Sequence, residues 1–417
     1  MGQNKENYDV AVIGAGPAGM MAAISAAESG AKVVLVERNK SAGKKLLLTG
    51  GGHCNLANAE SDLRKLIANY GETGPFLFHA FAGFGPKDAV NFFNKLGVKT
   101  VVENNQRVFP KSGQAADVLD ALLKYLESLN VRIIFGGRVA GIDRNGVLIK
   151  DVILDSGQAI NAKNYIFATG GKSYPATGSA GDGYEWSCGL GHEIAPLSPG
   201  LVPVRTDEEW GKKLSGVSLE NVGIAVRRDG AKVISMLGEI LFTHFGLSGP
   251  AILNMSSEIG KLLDKGEVAI SIDLFPQIDR VKIDKMILDN FKKNPNRVLK
   301  NCLADIMPQG LVLTVAGLAN VAAGKTANNI TKEERFRLLG AIKDIRLTVS
   351  GLLDIEAGMV TAGGVSLESI DDKTMRSKIV KNLFFAGEII NVHGRTGGFN
   401  LTQCWATGRL AGIGAIK

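Results

Sequence analysis

Residues 8–37, YDVAVIGAGPAGMMAAISAAESGAKVVLVE, constrain the fold of this chain more than any other stretch. An apolar strand pattern (Val10, Val12, Ile13) runs into Gly14-Ala15-Gly16-Pro17-Ala18-Gly19. A helix pattern of small residues follows, then a second strand that Glu37 closes. Each part has a physical task. Gly14 allows a tight turn, Gly16 lets the backbone approach a pyrophosphate, and Gly19 lets the helix pack close to the sheet. The helix N-terminus, with Pro17 and Ala18 at its start, turns unpaired N–H groups and a positive dipole end toward phosphates. Glu37, 18 residues after Gly19, can accept hydrogen bonds from a ribose 2′-OH. Strand, glycine turn, helix, strand and acid in this order are the context that a dinucleotide site requires. The acid favours FAD or NAD over NADP, although the neighbouring Arg38 blunts that distinction.

A run from residue 10 to 27 carries no charge, and its length alone would suit a membrane span. Three glycines and a proline in its first ten residues have no place in a span, whereas a phosphate-binding turn needs them. Elsewhere no other candidate span occurs, and the expectation is a cytoplasmic protein. The length of 417 residues predicts two or three domains, and 45% hydrophobic residues supply a large core. A net charge of +7 suits an anionic cofactor and argues only weakly for nucleic acid. The four cysteines (Cys54, Cys188, Cys302, Cys404) lie far apart, so neither a zinc site nor a redox dithiol is written locally.

Strand and helix patterns alternate in the first part of the chain, as a parallel sheet demands. Helices are expected at 87–96 and 114–128, and strands at 131–135 and 165–168. From Pro196 the texture becomes that of antiparallel strands, at 222–227, 232–236 and 267–274, with a turn at Asp229-Gly230. From 277 to 344 the pattern is helical, with Thr331 and Glu334 as a capping box. Strand character returns at 346–353 and 383–386, before a terminal helix from about Leu401. The simplest α/β topology is a Rossmann-type dinucleotide domain, 1–195 plus 345–417, interrupted by a β unit at 196–276 and a helical segment at 277–344. Lys292, Lys293, Arg297 and Lys300 give the helical segment a basic patch, best read as a solvated face.

Three more glycine-rich elements carry chemistry. In the first, Lys44, Lys45, Thr49, Gly50, Gly51, Gly52 and Asn55 suit a loop around an anionic, flat ligand, anchored by Leu46 to Leu48. The second ends a strand on Ala168-Thr169-Gly170, where the backbone must pass close to a cofactor. The third runs through Gly387 and Glu388 to Gly398, Phe399, Asn400 and Leu401. There an acid at a strand end can hold ribitol or ribose hydroxyls, and a helix opening at Asn400 can stabilise negative charge on a reduced flavin.

With these elements together, the chain resembles the FAD-dependent oxidoreductases of the BaiN/YhiN type, which include aminoacetone-oxidase-like proteins and 3-dehydro-bile-acid reductases. The resemblance rests on GAGPAG, KKLLLTGGGHCN at 44–55, RVFPKSGQAADVLDAL at 107–122, ATGGKSYPATGSAGDGY at 168–184, GEILFTHFGLSGPAIL at 238–253 and FAGEIINVHGRTGGFNLTQ at 385–403. It implies a glutathione-reductase-like FAD domain interrupted by a β-barrel and a helical insertion, with non-covalent FAD. On this view Glu37 holds the adenosine ribose, and Lys44, Lys45 and Gly50 to Gly52 lie along the cofactor. Val139 offers its backbone to the adenine, and Glu388, Asn400 and Leu401 contact the ribityl and flavin end. Three residues depart from the family pattern: His53 for arginine, Phe399 for tyrosine and Asn391 for aspartate.

A flavin brings its own redox chemistry, so no catalytic triad is required. Tyr174 and His393 are the candidate catalytic side chains, as donors or acceptors of a proton. No second nucleotide motif follows residue 37, so NAD(P)H is expected to reach the flavin only transiently. The leading expectation is oxidoreduction of a small organic substrate with NAD(P)H. An amine oxidase using dioxygen and an RNA-associated flavoprotein are the alternatives. Nucleic acid is not an expected partner, and no metal, membrane or protein partner is implied.

Overall fold

The computed structural model describes residues 7–417. Two compact units divide them, one of residues 7–200 and 355–417, the other Leu201–Asp354.

In the first unit, strand Asn7–Ile13 lies between Val33–Glu37 and Ala159–Phe167, parallel to both. Arg132–Phe135 extends the sheet beyond Val33–Glu37, also in parallel. Leu383–Phe385 adds in parallel to the end of Ala159–Phe167. The hairpin Val139–Asn145 and Leu148–Leu154 runs antiparallel at the other side. All five residues of Val33–Glu37 are buried, as a strand covered on both faces should be. The uncharged run resolves into strand Asn7–Ile13, a turn and helix Pro17–Glu28. Among the described residues no helix is long and apolar enough to cross a membrane.

Helix Phe399–Gly414 lies directly on helix Pro17–Glu28. A Cβ on Gly408 or Gly412 would stand 2.4 Å from the carbonyl oxygens of Ala18 and Ala22 respectively, so the two backbones touch. Trp405, fully buried, donates its indole N–H to the Leu56 carbonyl at 2.9 Å.

His192 is buried in this unit, with Nδ1 3.2 Å from the Ser187 carbonyl and Nε2 2.7 Å from Ser377 Oγ. A carbonyl only accepts, so Nδ1 carries the proton and Nε2 accepts from the serine. Burial holds the imidazole below its ordinary pKa of 6.5. The unfolded chain therefore binds a proton at pH values where the folded chain does not, and protonation favours unfolding. Stability from this group is complete above pH 6.5 and falls as the pH drops below it. Urea midpoints just below that pH should decline more steeply for the parent protein than for His192→Gln; parallel curves would reject the assignment.

The second unit is a closed barrel. Its strands follow the order Val204–Thr206, Gly246–Ser248, Ala231–Thr243, Ser218–Arg228, Val268–Asp273 and Ile345–Leu352, which returns to Val204–Thr206. All pairs are antiparallel. The Asp229-Gly230 turn has φ of 48° and 80°, the positive pair that a tight two-residue hairpin requires. Helices Arg280–Lys293, Leu299–Leu303, Gln309–Leu318 and Lys332–Lys343 occupy the link between the last two strands. In the last helix Thr331 Oγ accepts from Glu334 N–H while Glu334 accepts from Thr331 N–H, the expected capping box.

The boundaries differ from the sequence expectation for two reasons. Strand Ile194–Gly200 pairs with Val360–Val365 of the first unit, so the insertion starts at Leu201 rather than 196. Strand Ile345–Leu352 closes the barrel, so the chain returns at Ile355 rather than 345. Helical residues such as Ile287 and Leu338 share one core with barrel residues such as Val226 and Ile270, which makes barrel and helices a single unit.

Candidate functional site

The turn after Asn7–Ile13 opens a cavity in the first unit. Gly14 adopts φ +104°, and a Cβ there would stand 2.5 Å from the Ala168 carbonyl oxygen. The turn and the end of strand Ala159–Phe167 are therefore in backbone contact. A Cβ on Gly19 would lie 1.8 Å from the Gly14 oxygen, so Gly19 serves packing, outside the cavity lining. Gly16 has open space where its Cβ would be. Helix Pro17–Glu28 begins there without a side-chain cap or an acid in its first turn. Gly14, Gly16, Pro17 and Ala18 line the cavity, so the uncapped N–H groups are available to an anion.

Glu37, 7% exposed, ends its strand in the same lining. Its Oε2 accepts from Ala15 N–H at 2.9 Å, and Oε1 accepts from the backbone and side-chain N–H groups of Asn39 at 2.9 and 2.7 Å. The acid thereby fixes the glycine turn as well as facing the cavity. Arg38 is paired with Asp182 at 2.8 Å. That carboxylate offsets part of the positive charge that would otherwise favour a 2′-phosphate. Asn39 also reaches the Thr177 carbonyl at 2.9 Å.

Lys44, Lys45, Val139, Ala168, Thr169, Gly170 and Glu388 complete the expected residues found in this lining. Lys45 Nζ lies 2.7 Å from Glu388 Oε2 and 2.6 Å from Ser173 Oγ. The Thr169 hydroxyl is buried without a hydrogen-bond partner. An orphaned hydroxyl, an uncapped helix N-terminus and a glycine cradle fit a dinucleotide in this cavity.

Other expected residues lie outside the lining. Thr49 caps its own turn through Leu46, and Gly50, Gly51 and Gly52 all take positive φ. Of the apolar run before them only Leu46 is buried; Leu47 and Leu48 are exposed, so the anchor is a single side chain. Gly387 and Gly398 are tight contacts, to Ala18 Cβ at 2.6 Å and to the Ala57 backbone at 2.3 Å. Gly398 also nears Asn55. Helix Phe399–Gly414 starts one residue before the expected Asn400. Asn400 instead clamps the preceding loop, accepting from Gly394 N–H at 2.8 Å and donating to the Gly394 carbonyl at 2.9 Å. Phe399 is buried edge-on to Tyr70, whose hydroxyl donates to the Phe399 carbonyl at 2.7 Å, and Leu401 is buried beside it. Tyr174 has the left-handed φ of 54° and is 37% exposed, while His393 is half-buried. His53 contacts the Gly113 carbonyl through Nδ1 at 2.7 Å.

Asn39, Arg138, Trp186 and Cys404 line the cavity without having been expected there, and Gly43 and Asp182 join them from the glycine-rich stretches. Burial pushes the Cys404 thiol up to about 12, so it lines the cavity as a neutral group. Cys54 is likewise pushed up to about 12 by burial. Among the described residues no cluster of side chains suits a metal ion.

The description of HI0933-like protein Rossmann domains matches residues 8–414, and the chain belongs to that family. A 3-dehydro-bile acid delta(4,6)-reductase from Clostridium scindens is 31% identical over 98% of this chain and 99% of its own. A ribosomal RNA dihydrouridine synthase from Escherichia coli is 29% identical over 96% of both chains. In fold, a 3-ketosteroid-delta4-(5alpha)-dehydrogenase from Rhodococcus jostii superposes with a TM-score of 0.54 at 15% identity, covering 100% of this chain and 98% of that one. The chain is thus an FAD-dependent oxidoreductase of Rossmann type.

Proposed function

We propose that this HI0933-like flavoenzyme uses NAD(P)H to reduce a carbon–carbon double bond conjugated to a carbonyl in a small organic substrate. The observation that carries this reading is the relative 31% identical along nearly its whole length, whose name describes reduction of such double bonds in a bile acid. Held in this cavity, FAD would supply the hydride relay from NAD(P)H to one alkene carbon, and a proton would complete the other.

The chain's own residues hold the cofactor. Glu37 would accept from the adenosine ribose, and the N–H groups of Gly16 and Ala18 would serve the pyrophosphate. Val139 meets the adenine through its backbone, and Arg38, Lys44, Ala168, Thr169 and Gly170 enclose the remaining length. Glu388 accepts from the ribityl chain. Gly50 to Gly52, Asn55 and the segment from Gly398 to Leu401, outside the cavity lining, would reach the flavin end only beyond that lining. Tyr174 and His393 are the candidate proton donors to the saturated carbon. Backbone strain at Tyr174 supports that role, because strained residues gather at functional sites.

Anaerobic mixing with NADH or NADPH should bleach the flavin absorbance, and addition of an enone should restore it. If neither nucleotide bleaches the flavin but an amine does, the amine-oxidase reading replaces this one. A second reading, reduction of a uridine in ribosomal RNA, is favoured by the Escherichia coli relative. Exposed Lys292, Lys293 and Lys300 would serve it. A gain of two hydrogens in a ribosomal RNA fragment, seen by mass spectrometry, would establish that substrate.

A further inference from the structure

Glu388 is held by three separate parts of the first unit. Lys45 donates to Oε2 at 2.7 Å. Ser173 Oγ donates to Oε1 at 3.0 Å, and Thr361 N–H donates to the same oxygen at 2.8 Å. Lys45 also donates to Ser173 Oγ at 2.6 Å, which closes a ring of ammonium, hydroxyl and carboxylate. Thr361 Oγ in turn accepts from the N–H groups of Lys172 and Ser173 at 2.7 and 3.2 Å. Gly171 leaves room for the ring, since a Cβ there would stand 2.7 Å from Glu388 Oε1. The side chains of Lys45 and Glu388 are 23% and 15% exposed, so this is not a solvated surface pair.

Counting acceptor sites singles out one atom. A carboxylate oxygen accepts about two hydrogen bonds. Oε1 has two donors already, whereas Oε2 has only Lys45 among the described residues. Oε2 therefore keeps one acceptor site, and Glu388 lines the cavity.

We propose that Lys45 is a positioning residue, which with Ser173 fixes the Glu388 carboxylate so that Oε2 presents its remaining acceptor site to a hydroxyl of the cofactor. The inference rests on the reading of Glu388 as a cofactor ligand. Lys45 acts through Glu388 and makes its contribution to cofactor binding only while that carboxylate is present. It spans from helix Lys44–Leu48, just after the ribose-binding acid, to a residue near the other end of the chain. Cofactor-contacting segments far apart in sequence are thereby set by one ammonium group.

The test is a double-mutant cycle on the FAD affinity of the apoprotein, read by quenching of flavin fluorescence, with melting of each apoprotein as the folding control. Lys45→Met should weaken FAD binding roughly tenfold, the order expected for breaking a half-buried charge pair. Glu388→Gln should weaken it at least as much, and the double variant should be no weaker than Glu388→Gln within about twofold. Lys45→Arg, which keeps charge and reach, should recover most of the loss. If Lys45→Met does not fold, Lys45→Gln takes its place in the cycle. Multiplying effects in the double variant, a Lys45 variant that binds like the parent, or no recovery by arginine would each overturn the proposal. If Glu388→Gln binds FAD like the parent, the ligand reading of Glu388 fails instead.

Discussion

Gly19→Ala should unfold the cofactor site and strip the protein of flavin. A methyl carbon at this position would stand 1.8 Å from the Gly14 carbonyl oxygen, far inside van der Waals contact. Both atoms belong to the backbone frame, so no rotamer change relieves the clash. Helix Pro17–Glu28 must back away from the turn, and it cannot do so freely because Gly408 and Gly412 hold helix Phe399–Gly414 against its other side. Overpacking of this kind costs about 3 kcal/mol or more. Urea unfolding and the flavin absorbance retained after purification are the measurements, and a normal value of either would contradict the packing argument. Gly16→Ala is the informative counterpart. Its φ of −81° suits any residue and its Cβ meets nothing within 4 Å. The apoprotein should keep its stability to within about 0.5 kcal/mol. FAD affinity should still drop sharply, because the methyl group occupies the space through which a pyrophosphate approaches. Gly16→Ala protein that binds FAD normally would remove the phosphate from this turn.

Glu37→Ala should weaken FAD binding by roughly ten- to a hundredfold. The lost bond runs from a ribose hydroxyl to a charged acceptor and is worth about 1.5–3 kcal/mol. Two effects must be separated, because Glu37 also accepts from Ala15 N–H and from Asn39. Loss of those contacts loosens the turn itself and should lower apoprotein stability by about 1 kcal/mol. Titration of apoprotein with FAD gives the first quantity and denaturant unfolding without FAD gives the second. Adenosine diphosphate ribose should lose affinity in parallel with FAD, since it carries the same ribose. Unchanged retention of FAD would reject the ribose role.

The legible parts of this fold were those written in consecutive residues. The strand, turn, helix, strand and acid at 8–37 needed only local rules, and so did the Thr331 and Glu334 cap. The Ile345–Leu352 strand was visible as a strand, but not as the strand that closes the barrel. Strand character is local, whereas its partners Val204–Thr206 and Val268–Asp273 are chosen by the tertiary fold. The same limit applies to the site. Lys45 and Glu388 each stood out beside glycines, yet their pairing crosses most of the chain, and no spacing records it. Arg38 looked like a mild argument for a phosphorylated ribose until Asp182 was found beside it. Asn400 illustrates a different limit. Its place at a helix start suggested cofactor contact, and nothing local to it records that its amide clamps the Gly394 backbone. A signal was also overlooked at Gly408 and Gly412, spaced one helical turn apart, where small residues let two helices touch.

A ribosome delivers residues 7–200 long before 355–417. Until Leu383–Phe385 emerges, the far end of Ala159–Phe167 has Asn7–Ile13 on one side and no parallel neighbour on the other. Until Phe399–Gly414 emerges, the small-residue face around Ala18 and Ala22 stays open to water. The barrel, contiguous from Leu201 to Asp354, has all its strands earlier. The chain thus has every strand of the barrel before the sheet of the first unit has its last strand. The cavity draws on both segments, Gly14 from the first and Glu388 from the second, so its lining is complete only once the last residues have been made.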